Sequence, residues 1–493
     1  MDPRGKSSSS RHTKHRPAIY KRLLEPKRLR PTPKDYKREQ DLETFSDKGR
    51  IVRSSPFRRL HSKAQVFSMS PGGAVRTRLT HSIEVSDYGE LIAESLAHQL
   101  VKSGDLLPEL HSSFVRTVEN ACLLHDIGNP PFGHMGEYAI REWFKENKPK
   151  LHDSYMKQGH IGGRLADRHL DAYRNFDGNP QGFRIITHLQ WLYDAYGMNL
   201  TCPLLASYMK YLGEVPEARR RFYKKTGYFP SEEDTVKKVW EKLDLSTRDG
   251  GLPNQRHPLV FLMEAADDIA FCLSDIEDAI EKGVVTEEEF ISWMRPKNIS
   301  FLEEAIVEAP TRPLLSKNGK YHLFRLKLSR TLVDSAVRAY VENQDQILDG
   351  TMGNSLLETN TQATRLLELV KEFCSLKVYT SRDAIDTELA GLNAIKGLLN
   401  GYLPVLCLSS EDFKEVSNPN NRSRLRDYPI ASLLTCLLPD KHMQAYKWAT
   451  TNAKELEPIY RTQLIVDYIS GMTDAYVLKI FNMINGTQQF SME

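Results

Sequence analysis

The 493-residue sequence has few cysteines, no long apolar run and little β-branched alternation. Its six cysteines are widely spaced and form no Cys-x-x-Cys pair, which argues against a disulfide framework or a zinc ribbon. The longest uncharged stretch, Ala195–Met209, has fifteen residues, whereas a membrane-spanning helix needs about 20 apolar ones. The basic N-terminus also lacks the apolar segment of a secretory signal. We therefore expect a cytoplasmic protein without a membrane span.

Charge is nearly balanced overall but is distributed unevenly along the chain. There are 67 Lys and Arg residues against 64 Asp and Glu residues, a formal net charge of +3. Residues 1–40 hold 13 basic and 4 acidic residues, so the rest of the chain carries −6. Because this segment is rich in Ser and Pro and poor in apolar residues, it predicts a basic disordered tail. Two interpretations stay open for it, a solvated tail and an arm that contacts nucleic acid.

Apolar residues recur at helical spacing through most of the remaining chain. This spacing predicts helices at Ile83–Leu100, Val115–Leu124, Leu259–Ile280, Leu323–Ile347, Leu356–Phe373, Glu388–Leu399 and Ile459–Phe481. A short strand pair is predicted at Leu314–Leu326, where Asn318-Gly319 has the composition of a hairpin turn. Loops are predicted at Asn147–Gly159, Asp177–Gly182 and Gly213–His257. The predicted fold is all-α, a large helical bundle with a small β-hairpin element.

The most informative segment is Leu123–His134, in which an apolar helical stripe ends at His125-Asp126. Adjacent helical residues point about 100° apart, so both side chains can lean towards one ion. Such a pair is also common as an ordinary helix end with satisfied hydrogen bonds. His81 upstream and the acidic pair Asp267-Asp268 inside an apolar helix favour the metal interpretation. A mixed nitrogen and oxygen set suits Mn²⁺, Fe²⁺, Co²⁺, Ni²⁺ or Mg²⁺ better than tetrahedral structural zinc.

The order His81, His125-Asp126, Asp267 resembles the H…HD…D signature of the HD superfamily of metal-dependent phosphohydrolases. Longer segments are similar to the bacterial deoxyguanosine triphosphate triphosphohydrolases, and they run from about Ser46 to Tyr476. The similar segments are Arg76–His81, His125–Glu137, Ala266–Ala270 and Asp467–Asp474. The resemblance implies three parts: the tail 1–40, an HD-domain catalytic core 41–300 with an inserted loop 213–257, and a helical region 301–493. The last part would complete the nucleotide pocket and make oligomer contacts.

The resemblance also implies the reaction centre. The metal would be held by His81, His125, Asp126 and Asp267, and the ion would be divalent, with Mg²⁺, Mn²⁺ and Co²⁺ as the candidates. Asp267 is preferred to Asp268 because the family pattern reads Ala-Asp-x-Ile. His134 matches the family's catalytic histidine, and Glu137 matches the acid that orients it. A histidine paired with a carboxylate suits acid–base work near neutral pH. Taken alone, His134 would be an ordinary surface-loop histidine.

The implied reaction is hydrolysis of dGTP, with other dNTPs as further candidate substrates, to nucleoside and tripolyphosphate. Such an activity would control dNTP pools. Two alternatives stay open: a nucleotide phosphodiesterase or 5′-nucleotidase of the same superfamily, and a nucleotide or nucleic-acid sensor without this activity. The resemblance further implies a homo-oligomer, often a hexamer. Some members bind single-stranded DNA, for which Arg219–Arg221 and the basic tail are candidate contacts.

Nine further residues are candidate substrate-binding residues. Eight match substrate-contacting positions or lie in matching segments, and Asp275, two helical turns after Asp267 on the same face, is expected to pair with a phosphate-binding cation or water. Cations would meet the phosphates, a tyrosine ring against the 2′-carbon would exclude a ribose hydroxyl, and a carboxylate would accept from guanine. The nine residues are Ser46, Gln65, Arg78, Asn179, Arg184, Lys210, Tyr211, Asp275 and Glu388. The sequence departs from the family at Phe271, where Tyr is usual.

Overall fold

The computed structural model describes residues 15–31, 38–67, 75–158, 162–190, 194–214, 225–297, 300, 302–304, 319–358, 361–418, 420–421 and 424–487. Most of these residues are helical, which confirms the predicted all-α class. Within them, no helix combines the length and apolar character needed to cross a membrane.

The first half of the chain forms eleven of the labelled helices in the described residues. They are α1 Arg16–Leu23, α2 Gln40–Val52, α3 Ser55–Arg59, α4 Arg78–Ser103, α5 His111–Leu124, α6 Gly133–Lys157, α7 Gly163–Arg174, α8 Gly178–Arg184, α9 Cys202–Tyr208, α10 Glu233–Leu243 and α11 Val260–Glu281.

The second half continues in the same way. Its helices are α12 Glu287–Met294, α13 Gly319–Glu342, α14 Gln344–Asp349, α15 Gln362–Phe373, α16 Arg382–Leu406, α17 Ser410–Val416, α18 Arg424–Asp427, α19 Pro429–Thr435, α20 Asp440–Asn452, α21 Glu457–Ser470 and α22 Asp474–Ile484. Short π-helical turns follow α8 at Ile185–Leu189 and α15 at Cys374–Val378.

Two hydrophobic cores organise these helices. In the first, α4 packs against α5, and α11 packs across both. In the second, α6 packs against α7 and α16, and α16 packs against α21 and α22. The helices that carry the HD signature belong to the first core, whereas α6, which carries His134 and Glu137, belongs to the second.

Local geometry sets the direction of the two helices that begin next to the signature residues. Thr77 and Thr80 cap each other at the start of α4, which places Arg78 and His81 in its first turn. After α5 the chain turns through left-handed backbone at Phe132 (φ 59°) and Gly133 (φ 54°). The positive φ at Gly133 favours glycine, and a side chain there would also approach the Arg78 guanidinium to 2.2 Å.

The small hairpin exists, but its predicted position is wrong. The strands are β1 Thr247–Arg248 and β2 Leu252–Pro253, paired antiparallel within the stretch 213–257 that was predicted to be a loop. From Gly319 onward the predicted strand region is helix α13, whereas residues 314–318 lie outside the described part. The helix forms because Tyr321, Phe324 and Leu328 recur at helical spacing and are buried together.

Other predicted boundaries also change. The predicted loop Asn147–Gly159 is wrong up to Lys157, because α6 continues past Pro149, and residue 159 is not described. Asp177 caps α8, so the loop Asp177–Gly182 is also wrong. The stretch Gly213–His257 contains α10 and the hairpin, with residues 215–224 outside the description. The predicted helix Ile459–Phe481 is two helices, α21 and α22, separated at residues 471–473.

The predicted disorder of residues 1–40 is wrong for residues 16–31. Tyr20 and Leu23 on α1 are each only 1% exposed, and the Tyr20 hydroxyl lies 3.0 Å from that of Tyr340. Arg28 forms ion pairs with Asp47 at 2.7 Å and Glu43 at 2.6 Å. The basic composition of the segment did not reveal this short helix, which buries Tyr20 and Leu23 and whose Arg16 pairs with Asp105 and Asp345. Residues 1–14 and 32–37 lie outside the described residues.

Candidate metal centre and nucleotide pocket

A cavity of about 590 Å³ is lined by helices of both cores. Helices α4 and α11 and the residues directly after α5 contribute from the first core, and α6 and α16 contribute from the second. The predicted site residues that line it are Gln65, Arg78, His81, His125, Asp126, His134, Glu137, Asn179, Lys210, Tyr211, Asp267 and Glu388. Folding thus brings residues that are 323 positions apart in sequence to one cavity.

The four predicted metal ligands lie together in this cavity. One ligand atom from each of His81, His125 and Asp126 falls within 4.8 Å of the others. Asp267 Oδ1 lies 3.6 Å from His81 Nε2 and 3.5 Å from His125 Nε2. The donors therefore converge from α4, the end of α5 and α11.

The tautomer of His125 is the one that a metal ligand needs. Its Nδ1 donates a hydrogen bond to the Cys122 carbonyl at 2.7 Å, which leaves the Nε2 lone pair free. This buried Nε2 has no hydrogen-bond partner among the described residues. Burial lowers the pKa of His125, so the ring is neutral at physiological pH.

Cations keep the two signature carboxylates ionised. Asp126 accepts hydrogen bonds from Arg78 Nη1 at 2.5 Å and Asn129 Nδ2 at 2.6 Å. Burial would raise the pKa of Asp126, but nearby positive charge, which Arg78 supplies, outweighs burial and lowers that pKa. Lys210 Nζ lies 2.6 Å from Asp267 Oδ2 and likewise lowers the pKa of Asp267 against its burial.

These observations fit a divalent cation. Two imidazole nitrogens and two ionised carboxylates form the mixed donor set that Mg²⁺, Mn²⁺ or Co²⁺ accepts with coordination positions left for water. An unpartnered, buried imidazole nitrogen at the centre is otherwise costly. The residues present can therefore hold a divalent metal.

His134 and Glu137 form a pair on the first turn of α6. His134 Nδ1 donates to Glu137 Oε2 at 3.0 Å, and this bond is the main cause of the raised pKa of His134. Glu137 is buried, and its other oxygen accepts from the Gly178 amide at 2.7 Å. The His134 side chain is 78% exposed, so its Nε2 is free to meet a molecule in the cavity.

Sequence reasoning missed several residues that line the cavity, among them Asn129, Lys225, Lys371 and Tyr379. Asn129 donates a hydrogen bond to Asp126 and so orients it. Because Asn129 lies in the segment Leu123–His134, its closeness to Asp126 could have been inferred from the sequence. Lys225 pairs with Asp177 at 3.2 Å. Lys371 pairs with Asp268 at 3.3 Å. No motif near them in the sequence indicated that three further residues line the cavity: Lys225, Lys371 and Tyr379.

Three predicted substrate-binding residues do not line the cavity. Ser46 is half-buried on α2 and accepts a hydrogen bond from Arg50 at 3.3 Å. Asp275 is fully buried and accepts from the Tyr379 hydroxyl at 2.6 Å, so it supports a cavity residue rather than contacting substrate. Burial raises the pKa of Asp275 to about 7.

Arg184 is a structural residue rather than a substrate-binding one. It is 8% exposed, and its guanidinium contacts both oxygens of Asp467 at 2.8–2.9 Å. Its remaining nitrogen, Nη1, donates to Glu232 at 2.7 Å. The arginine therefore joins α8 to α21 and to the turn before α10.

Arg184→Ala is expected to lower the free energy of unfolding by about 3–5 kcal/mol, because two buried carboxylates lose their common cation. Urea denaturation followed by circular dichroism measures this change. The control Arg174→Ala removes only a surface pair with Asp171 and should cost less than about 1 kcal/mol. Equal stability losses in the two variants would contradict the structural role.

An all-α bundle that gathers two histidines and two aspartates in this way defines a metal-dependent phosphohydrolase of the HD type. A family model described as "HD domain" matches residues 78–171. The chain is 36% identical to proteins named deoxyguanosinetriphosphate triphosphohydrolase from Salmonella typhimurium and Salmonella typhi, over 90% of this chain and 94% of each relative. The protein of that name from Klebsiella pneumoniae is also 36% identical, over 91% of this chain and 95% of its own. The chain belongs to the deoxyguanosinetriphosphate triphosphohydrolase family.

Proposed function

We propose that this protein hydrolyses dGTP to deoxyguanosine and tripolyphosphate and so acts on dNTP pools. The observation that carries the proposal is a single cavity that holds the metal donors, the His134–Glu137 pair and several cations. The names of the similar proteins support the same substrate. Mg²⁺, Mn²⁺ and Co²⁺ are the proposed ions.

In this reaction, water attacks the α-phosphorus and the bond from that phosphorus to the 5′-oxygen breaks. A divalent metal, which His81, His125, Asp126 and Asp267 would hold, would supply Lewis acidity at the phosphate. The leaving 5′-oxygen is strongly basic and needs a proton, which His134 Nε2 can donate while Glu137 holds the ring through Nδ1. The raised pKa of His134 keeps the imidazole protonated to higher pH, as a general acid requires.

Other cavity residues suit the triphosphate and the sugar of the substrate. Arg78, Lys210 and Lys225 line the cavity and would meet the triphosphate. Gln65 Oε1 is buried without a hydrogen-bond partner among the described residues, so it can accept from a sugar hydroxyl. Tyr211 would pack against the deoxyribose.

Two further residues that line the cavity suit recognition of the guanine base. Glu388, on α16, can accept from the guanine N1 and N2 donors, and Asn179 would help to orient the nucleotide. Burial raises the pKa of Glu388. Because Glu388 lies on α16, the C-terminal region would complete the nucleotide pocket.

Assembly and nucleic-acid binding form a separate part of the proposal. Ile430 and Leu433 on α19 are 69% and 62% exposed, which supports burial against another copy in a homo-oligomer. A hexamer and single-stranded DNA as a partner rest on the family resemblance. The candidate DNA contact Arg219–Arg221 lies outside the described residues.

The direct test supplies each of the four dNTPs and GTP with Mg²⁺, Mn²⁺ or Co²⁺ and separates the products by chromatography. The expected products from dGTP are deoxyguanosine and tripolyphosphate. Formation of dGMP and pyrophosphate would contradict the proposal and favour the phosphodiesterase alternative. No turnover with any combination would favour a sensor.

Glu137→Gln is expected to move the alkaline limb of the kcat profile to lower pH. The bond to Glu137 raises the pKa of His134, so its loss lowers that pKa, and the protonated acid disappears earlier as pH rises. Turnover measured across pH 6 to about 9.5 reports the shift. Glu146→Gln, an exposed change later on α6, should leave the limb in place. An unchanged limb in Glu137→Gln would remove this pair from the rate-limiting proton transfer.

A further inference from the structure

A second cavity of about 550 Å³ lies at the start of α20, beside α3 and the junction between α21 and α22. Its lining residues in the described part of the chain are all different from those of the metal-centre cavity. The volume falls within the range of small-molecule pockets. The reaction proposed above uses none of these residues.

The N-terminus of α20 opens into this second cavity. Pro439 is the residue before the helix, and its side chain makes no capping hydrogen bond. The amides of the first turn, at Asp440, Lys441 and His442, therefore have no intrahelical acceptor. Together with the helix dipole, such amides attract an anion.

An unpartnered buried side chain lies at the same place. His442 is only 9% exposed, and its Nδ1 has no hydrogen-bond partner among the described residues. Burial lowers the pKa of His442 to about 4, so the ring is neutral and can offer an N–H. A buried polar atom without a hydrogen-bond partner destabilises the folded protein unless a bound molecule supplies the missing hydrogen bond.

The charged groups facing the cavity are mostly cationic. Arg59 is half-buried and has no carboxylate partner among the described residues, and Lys441 is exposed at the rim. Burial and neighbouring Arg58 lower the pKa of Arg59. Asp440 is the acidic group of this lining, and its side chain is exposed to solvent. A phosphate would compensate the buried cation.

We propose that the second cavity binds a small molecule that carries a phosphate group, with the phosphate at the start of α20 between Arg59 and Lys441. The body of the ligand would lie against Tyr468 and Tyr476, whose hydroxyls are 3.4 Å apart. Aromatic rings beside a phosphate site match the chemistry of a nucleotide.

The wall of this cavity is tied to the metal-centre cavity. Lys63 donates to the Ser470 carbonyl at 3.0 Å and to the Asn129 carbonyl at 2.6 Å. Asp474 accepts from the amides of Ala64 at 2.8 Å and Phe132 at 3.0 Å. Residues 470–474 therefore contact both loops beside the residues of the metal centre.

The test is isothermal titration of the full-length protein, without added metal, with guanosine 5′-monophosphate and, separately, inorganic pyrophosphate. At least one probe is expected to bind, and Arg59→Gln and Lys441→Gln should each weaken its binding about tenfold. Lys447→Gln, an exposed change on the same helix, and Asp126→Ala, in the metal centre, should leave the affinity unchanged.

Two results would overturn the proposal. One is the absence of binding by either probe at millimolar concentration. The other is binding that Asp126→Ala removes and that Lys441→Gln does not affect, which would place the probe in the metal-centre cavity. Lys441 is exposed, so its substitution should leave the packing of α20 intact. If Arg59→Gln fails to fold, the affinity of Lys441→Gln for the probe decides the outcome. Because titration measures no hydrolysis, its outcome is separate from that of the proposed function.

Discussion

Replacing His134 with alanine is expected to lower kcat for dGTP by roughly 10²–10⁴-fold, the usual loss when a general acid is removed. The leaving 5′-oxygen would depart without a proton, and no other described histidine lines the cavity outside the signature pair His81 and His125. His134 lies outside the metal donor set, so metal binding should be unchanged.

Two measurements separate chemistry from metal loss in this variant. Single-turnover hydrolysis of dGTP reports the chemical step, and titration with Mn²⁺ reports metal affinity. His152→Ala changes a half-buried histidine later on α6, whose contact is with Asp167 at 4.0 Å, and it should retain wild-type turnover. Wild-type turnover in His134→Ala would exclude His134 as the proton donor.

Replacing Asp126 with alanine is expected to remove divalent metal binding and to lower turnover by at least roughly 10³-fold. Lewis-acid stabilisation of the transition state amounts to several kcal/mol, and each ~1.4 kcal/mol corresponds to a tenfold change in rate. The change also leaves Arg78 without its carboxylate partner, so the remaining donors face an unbalanced cation.

The matched control is Asp268→Asn, which changes an acid of the same cavity that pairs with Lys371. It should retain metal binding, whereas Asp126→Ala should not. Calorimetric titration with Mn²⁺ and Co²⁺ distinguishes the two variants. Metal affinity retained in Asp126→Ala and lost in Asp268→Asn would contradict the assigned donor set.

The site was predictable where its residues lie in short, ordered segments. His81 follows a helix start, and His125-Asp126 ends an apolar helix before Pro130-Pro131, so their local geometry can be inferred from sequence. The gathering of all four donors then follows from packing α11 across α4 and α5. His134 was placed correctly beside Glu137 because three residues on a helix bring two side chains to one face.

Residues whose role depends on distant partners were not predictable in the same way. Arg184 lies in a segment similar to the family, but its partners, Asp467 and Glu232, are separated from it by 283 and 48 positions. The role of Asp275 could not be predicted for the same reason, because its partner Tyr379 lies 104 positions away in the sequence. Charge type alone does not distinguish a substrate contact from a buried ion pair.

By itself, the sequence determined the helical class, the residue types of the proposed metal centre and the pairing of His134 with Glu137, because these depend on spacing within single helices. Only the tertiary structure decided which charged residues face the cavity, where the hairpin lies, and that residues 16–31 pack onto the body. Those outcomes depend on long-range contacts such as Tyr20 with Tyr340 and Arg28 with Asp47. These buried polar groups need partners that lie far away in the sequence, and local patterns do not show which residues those partners are.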